Sequence, residues 1–554
     1  MSRVFSLTQR SALFALMTTI ACGRTNPLKG AGPGVPINEV TPSAAIVVKL
    51  ASGSPTQDPD VLLTVVDCTG TSAVYVNEGA QPTASDPAWQ KCTIALGGIT
   101  YTLSAGGGLH MLAVWAKDTQ GNVAQAPVNV PVVLGSSMFA MGALHSCALI
   151  AGGVKCWGDN TEGQLGSGST ESNSTTPIDV SGLESGVDEI VAGPESSATC
   201  ALKNGQIWCW GWNKYKELNP KEVTAQCSDG SSSEPCSSTP VLVVDASGMD
   251  VQNVVSLSGG DQMMCATFQD RSVRCWGDDV VGELGDNGAS APSTAVPVEP
   301  RGEAATWTSI ALGAATGCAI VSGTGISCWG FDYANYVGDV GFGPGSAIIG
   351  GNGDSKSGNL YYSPVPRAVT ALGTTVPDAL AVGDYHACAL TQGNVSCWGK
   401  DTFGQLGNGL ETNSLTAVPV TLPGTPDLLV AGAHHACARV AGDQMACWGM
   451  NDYGQLGAVS AQSCSGTPCA SLPVVVSRIA GVAGMAAGRE QTCAATPLGV
   501  ECWGSDASGL LNGQGMDTCN SSGTTQNTPC SHVPVVIPGL FGSSQSGGGS
   551  VIAR

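Results

Sequence analysis

Charged side chains make up only 12 % of this 554-residue chain, and basic ones are the scarcest: 22 Lys and Arg stand against 43 Asp and Glu, a formal charge of −21. That balance excludes the footprint of a nucleic-acid binder, which needs clustered basic charge against phosphates. Aromatics are also few, at 5 %, while Gly reaches 76 residues. Few charges, much glycine and regular turn signals together indicate an all-β chain. No apolar run after residue 22 is long enough to span a bilayer as a helix. Cys-x-x-Cys is missing, which removes dithiol redox chemistry. Also missing are a Gly-x-Ser-x-Gly elbow, a His-Glu-x-x-His pair and a Gly-x4-Gly-Lys-Ser/Thr phosphate loop. No catalytic residue, cofactor or metal ligand set is therefore assigned, and the chain reads as a non-enzyme. Paired glycosidase carboxylates leave no local signature, so an envelope-polysaccharide hydrolase or lyase with acids in a central channel stands as the alternative.

What the chain has instead is cysteine in a pattern. Seven times it spells Cys, eight or nine residues, then Cys-Trp-Gly: Cys147–Cys156, Cys200–Cys209, Cys265–Cys275, Cys318–Cys328, Cys388–Cys397, Cys437–Cys447 and Cys493–Cys502. In Cys147-Ala-Leu-Ile-Ala-Gly-Gly-Val-Lys-Cys156, two apolar runs flank a glycine turn. That is a β-hairpin signal, and it sets the two cysteines opposite each other, close enough to bridge. Each closed loop of about ten residues adds roughly 2.5–3 kcal/mol in the chain-entropy account. Three more pairs form short loops, Cys227–Cys236, Cys464–Cys469 and Cys519–Cys530, and Cys68–Cys92 lies nearer the N-terminus. Cys-x8-Cys is not a zinc spacing. Of 23 cysteines, only Cys22 is left over.

Residues 1–21 explain it. Arg3 and Arg10 make a basic start, Ser11 to Ile20 an apolar stretch, and small Ala21 precedes Cys22. This reads as an export signal and resembles a bacterial lipoprotein cleavage site, with Cys22 lipidated. Export implies an oxidising compartment and disulfides for the other cysteines. Gly23, rather than Asp, follows Cys22, so the expected location is the outer membrane or cell surface. A tether at 22–39 follows, and 541–554 reads as a flexible tail. Residues 40–134 carry short strand-like runs (Ala45 to Leu50, Val61 to Val66, Thr100 to Leu103, His110 to Ala116) that suit a small β-sandwich. Gly108 to Val123 resembles the late strands of bacterial immunoglobulin-like or fibronectin-like modules.

Residues 136–540 hold the array. Each unit has a short strand ending in glycine (for example Leu380-Ala-Val-Gly383), the cysteine hairpin, a turn such as Asp401-Thr-Phe-Gly-Gln-Leu-Gly407, and a Pro-Val strand such as Val418-Pro-Val-Thr-Leu422. Four strands per unit in seven units predict a seven-bladed β-propeller. The Pro-Val strand is expected to open the next unit, and Val533-Pro-Val-Val-Ile537 to close the ring by completing blade one, with Val130-Pro-Val-Val133 as its competitor. His145-Ser-Cys-Ala-Leu149 followed by Gly153-Val-Lys-Cys-Trp-Gly-Asp-Asn-Thr-Glu-Gly-Gln-Leu-Gly166 resembles the repeat of the regulator of chromosome condensation family. That resemblance implies seven-bladed propellers; the added cysteine pair fits exported bacterial members.

The repeated tryptophans and glycines read as architecture. His145, His386 and His435 share a slot two residues before a repeat cysteine, held elsewhere by Ala198, Met263, Thr316 and Gln491. They are read as hydrogen-bonded strand ends. Variation between units marks function: insertions lie between Trp-Gly and the Pro-Val strand, three stapled by their own disulfide. Preorganised loops lower the ordering cost of binding, and the aromatics there are the candidate contacts: Trp212, Tyr215, Phe331, Tyr333, Tyr336, Tyr361, Tyr362, Phe403 and Tyr453. The expected protein is a lipid-anchored propeller binding a protein or polysaccharide, with no nucleic-acid partner. Guanine-nucleotide exchange, known in eukaryotic relatives, is disfavoured by the charge and the export signal.

Overall fold

All described elements except one 3-10 turn at Ala507–Gly509 are β-strands, as the composition required. The computed structural model describes the chain from Val47 to Phe541, with internal gaps of which the longest are 219–224, 287–293, 299–306, 333–360 and 520–527. Residues 1–21, Cys22, the tether, all of the tail beyond Phe541, Tyr333 and Tyr336 lie outside the described residues.

The N-terminal strands form two facing sheets. β1 (Val47–Leu50) and β2 (Asp60–Asp67) join β5 (Ile99–Thr102), in the order β1-β2-β5. Opposite lie β3 (Thr71–Asn77), β4 (Gln90–Lys91), β6 (Gly108–Asp118) and β7 (Val128–Leu134). Period-2 alternation buries Val61, Leu63 and Val65 of β2 against Val74, Leu112, Val114 and Val132 of the other sheet. Cys68–Cys92 is bonded at the edge of this core.

From Phe139 onward the chain repeats an antiparallel meander of four strands. In one unit these are Ala379–Val382, His386–Thr391, Asn394–Gly399 and Ser414–Val420, hydrogen-bonded in that order. The Pro-Val strand therefore pairs back onto its own Cys-Trp-Gly strand (Cys397 opposite Val418); it ends a unit and does not open the next. Thr528–Val536, which carries Val533-Pro-Val-Val, pairs with Gly499–Ser505. The expected exchange of this strand into blade one does not occur, and Val130-Pro-Val-Val133 lies in β7, paired with β6.

Six blades stand as sheets of their own, not seven. The strands of the first repeat, β8 (Phe139–Met141), β9 (His145–Ile150), β10 (Gly153–Gly158) and β11 (Ser174–Asp179), are absorbed into one eight-stranded sheet with β3, β4, β6 and β7. The physical reason is backbone contact. Leu109 meets Ile150 in a parallel bridge, and Ala151 and Gly152 donate to the carbonyls of Leu109 and Gly107 at 3.2 and 2.9 Å. Gly108 permits it: a Cβ there would sit 2.1 Å from the Leu149 carbonyl oxygen. Strand β6 is consequently buried on both faces, Leu112 and Val114 towards the sandwich and Leu109 and Met111 towards Phe139 and the last blade.

The ring closes through side chains. Trp157 donates its indole N–H to the Leu510 carbonyl at 2.9 Å, joining the first repeat to the last. Trp210, Trp276, Trp329, Trp448 and Trp503 do the same to Gln164, Glu217, Glu283, Gln405 and Gln455 of the preceding unit, at 2.7–3.0 Å. Each of these six indoles thus fills an inter-unit core while its one polar atom is satisfied; the Trp398 indole nitrogen is buried with no such partner among the described residues. The seven hairpin disulfides link residues directly opposite in register, with Cα atoms 4.0–4.1 Å apart. Cys227–Cys236, Cys464–Cys469 and Cys519–Cys530 are bonded as well.

Candidate functional site at the open end of the propeller

In an antiparallel meander the first-to-second and third-to-fourth connections emerge at one end, and the second-to-third turns at the other. The two ends here differ. At the turn end sits the N-terminal sandwich: Gly152 of the first hairpin turn bonds Gly107, and Asn129 donates to the carbonyl of Pro497, in the hairpin turn of the last blade, at 3.4 Å. Among the described residues the opposite end carries the three disulfide-stapled insertions.

Three insertions turn out to be ordered hairpins. Ala225–Ser228, Gln462–Cys464 and Asp517–Cys519 each add a fifth, outermost strand to their blade. Their disulfides therefore stiffen the rim and lie away from the axis, which periodicity alone did not reveal. Trp212 and Tyr215 meet edge-on at 6.0 Å beside the first rim hairpin, with the Lys214 ammonium 5.4 and 5.7 Å from the two rings. Phe331 is half-buried on the strand Gly325–Asp332, where it pairs with Tyr362, and Asp332 pairs with Tyr361. Tyr453 is half-buried in its turn, its N–H bonded to Gln455 Oε1 at 2.9 Å. Phe403 stacks on His434, which belongs to the next blade, at 5.4 Å.

The axis holds the residues that the sequence reading passed over. The innermost strands line a cavity of about 320 Å³, with Val191, Leu257, Ile310, Leu380, Leu429 and Met485 in its wall beside Ser137 and Ser258. Among the described residues no carboxylate lines it. At the open end the first strands run into glycines that meet one another. A Cβ on Gly193 would lie 2.1 Å from Gly260, on Gly313 2.1 Å from Gly383, and on Gly432 2.2 Å from Gly488. Backbone meets backbone around the ring, and only glycine allows that approach.

The connections just beyond these glycines bring charge together. Glu195, Asp261 and Asp384, from three different blades, each place a carboxylate oxygen within 4.8 Å of the others. Asp261 accepts the Glu195 backbone N–H at 2.8 Å. Arg489 Nε lies 3.4 Å from Glu195 and 3.5 Å from Glu490. Burial, reinforced by the neighbouring Glu195, raises the Asp261 carboxyl to about 7. Burial, then the charges of Asp261 and Glu195, holds Asp384 well above the ordinary carboxylate range. Burial also raises Glu490 to about 6 and lowers the His434 imidazole. Tyr385 stacks on the other side of His434 at 6.1 Å, with the Lys400 ammonium 4.6 Å from its ring. The signal was legible in hindsight: Asp261, Asp384 and Arg489 all stand four residues before a repeat cysteine.

The histidine slot lies one layer deeper. His145 Nε2 bonds Thr199 Oγ1 at 2.7 Å and His435 Nε2 bonds Thr492 Oγ1 at 2.9 Å, each across to the next unit. His386 departs from the expectation. Both its ring nitrogens are buried without a hydrogen bond, because the residue corresponding to Thr199 and Thr492 is Ala436. None of the three lies within the carboxylate group.

Two stretches, 151–200 and 445–495, match the regulator of chromosome condensation (RCC1) repeat, and a second profile of the same repeat matches 378–405 and 428–455. The chain thus carries RCC1 repeats on a propeller. It is 24 % identical over 350 residues to the ultraviolet-B receptor UVR8 of Arabidopsis thaliana, covering 62 % of this chain and 70 % of that one. Over 330 residues it is 26 % identical to the E3 ubiquitin-protein ligase HERC2 of Homo sapiens, covering 57 % of this chain but only 6 % of that protein. In three dimensions it is similar to yeast RCC1 (Prp20) bound to Kap60, with a TM-score of 0.53 at 19 % identity, covering 73 % of this chain and 85 % of that one. Another structure of Prp20p from Saccharomyces cerevisiae, described with its binding to Gsp1p and histones, gives a TM-score of 0.51 at 19 % identity over 70 % of this chain and 86 % of that one. At these identities the structures speak to fold alone.

Proposed function

We propose that this RCC1-repeat propeller is a non-catalytic binding protein of a bacterial cell envelope, anchored by lipid on Cys22, with an immunoglobulin-like spacer at its N-terminal side. Its ligand site is the open propeller face, and its partner a protein. One observation carries this reading. The sandwich is docked at the turn end, while the stapled rim hairpins and the aromatic and charged groups around the axis all belong to the other end. A face that is stiffened at the rim and carries half-exposed aromatics over charge has the make-up of a protein interface. The binding of Gsp1p and histones by Prp20p supports a protein over a polysaccharide as the ligand. The net charge of −21 sets this chain apart from a histone's nucleic-acid surroundings and favours a basic partner surface.

The test is capture from the cognate envelope with two baits. One is the chain from residue 23; in the other, 213–238 and 331–362 are shortened to the turn found at 401–413. Retention of a defined protein by the intact bait alone, lost again on Trp212→Ala with Tyr215→Ala, is the expected result. Equal capture by both baits, or capture of polysaccharide alone, sinks the assignment.

A further inference from the structure

The fold accounts for the carboxylate group at the open end of the axis only in part. Asp261 accepts the Glu195 N–H and Arg489 pairs with Glu195, but Asp384 is left over. Asp384 is only 6 % exposed, yet its Oδ1 is buried without a hydrogen-bond partner. Its Oδ2 lies 3.8 Å from His434 Nδ1, beyond hydrogen-bond reach, and that nitrogen is itself buried and unbonded. Burying a carboxylate without a partner is costly, and proteins normally avoid it by pairing or by a metal ion. The cationic side chains nearby are too few to serve. Glu195, Asp261, Asp384, Asp452 and Glu490 share one neighbourhood with Arg489 and Lys400. Arg489 is already divided between Glu195 and Glu490.

We infer that Glu195, Asp261 and Asp384 form a binding site for a divalent cation of the calcium class on the propeller axis. Three oxygens mutually within 4.8 Å share a centre at most about 2.8 Å from each, so side-chain shifts of a few tenths of an ångström bring all three to the roughly 2.3–2.6 Å that Ca²⁺ adopts with carboxylates. Zn²⁺ prefers nitrogen and sulfur donors in a closed tetrahedron, which this set does not supply. His434 Nδ1 flanks the group and water completes the shell on the solvent side. The site does not depend on the identity of the protein partner. The scaffold suits it: Asp261 and Asp384 each directly follow a glycine held in the backbone ring, and Glu195 follows one after Pro194, so the three loops start from fixed positions. Glu195 is exposed while Asp384 is buried, which gives the ion an entry side and a floor. When an ion takes Glu195, Arg489 keeps Glu490 as its partner.

The experiment uses the full chain, stripped with chelator and titrated with Ca²⁺ by calorimetry and with Tb³⁺ by luminescence sensitised from its tyrosines and tryptophans. Expected is one ion per chain with a Kd of roughly 10⁻⁵–10⁻³ M, from the weak limit of sensor sites to that of extracellular ones. Asp384→Asn and Glu195→Gln should each weaken it at least tenfold, while Glu490→Gln leaves it within about threefold. Glu195→Gln keeps the test valid if the buried substitution fails to fold, since residue 195 is at the surface. Absence of saturable uptake up to about 10 mM, equal uptake by Glu195→Gln, or uptake of Zn²⁺ without Ca²⁺ would each overturn the inference.

Discussion

His386 offers a sharp test of how the units are held together. In two other units the histidine of this slot is hydrogen-bonded through Nε2 to a threonine hydroxyl of the next unit. The Thr492 hydroxyl in turn donates to the Gln455 carbonyl at 2.8 Å, the same oxygen that Trp503 uses. With the hydroxyl proton committed, His435 must carry its proton on Nε2. Around His386 all parts of this relay are present except the hydroxyl: Gln405 offers its carbonyl to Trp448 at 3.0 Å, but residue 436 is Ala. Leaving a buried donor unmade costs about 1–3 kcal/mol. Ala436→Thr should therefore stabilise the protein by about 1–2 kcal/mol, the expected part of that loss. Ala436→Val adds the same volume without the hydroxyl, so the difference between the two variants isolates the hydrogen bond. Urea unfolding followed by tryptophan fluorescence, with disulfides intact, reads both. If valine stabilises as much as threonine, packing is responsible and the relay argument fails. If both destabilise, the site lacks the room that Thr199 and Thr492 enjoy.

Three further outcomes follow from neighbouring geometry. Asp401 accepts the Leu406 N–H at 2.9 Å, but its Oδ2 is buried without a partner, whereas Asn451 at the same turn position donates Nδ2 to Ala458. Burial raises the Asp401 carboxyl to about 7, so its share of stability is present below an unfolded value near 3.8 and lost as pH rises through 7. Asp401→Asn should thus gain little at pH 4 and about 1–3 kcal/mol at pH 8; a gain independent of pH, measured by urea midpoints across that range, counts against the account. Gly432→Ala would set a Cβ 2.2 Å from the Gly488 oxygen and should cost at least about 2–3 kcal/mol, visible as a lowered thermal midpoint; a neutral result would show that the backbone ring yields. Replacing Cys437 and Cys447 together by Ser should cost roughly 2–3 kcal/mol in the same denaturation assay, and no loss would mean that the hairpin register alone holds the blade.

Much of the propeller was legible because its determinants are local. Cys388 and Cys397 face each other because the turn between them forces that register, and Trp398-Gly399 recurs because the packing between units recurs. What escaped is what depends on a third element. The first repeat carries the same motif as the rest, yet its strands join a larger sheet because Gly107 and Gly108, far outside the motif, let β6 approach β9. The Cys227, Cys464 and Cys519 loops read in sequence as preorganised contact surface; that closing them adds strands at the rim, where each hairpin extends an existing ladder, did not show there. The axial group is the clearest case. Glu195, Asp261 and Asp384 are separated by 66 and 123 residues in sequence and meet only because a ring sends its first loops to one point. A repeat makes such convergence computable in advance. Every side chain at one position of the unit is delivered to the same circle about the axis. Variation at an inward position should therefore be read around that circle, residue by residue, before any single unit is read along the chain. Applied four positions before each cysteine, that procedure sets Asp261, Asp384 and Arg489 side by side from sequence alone.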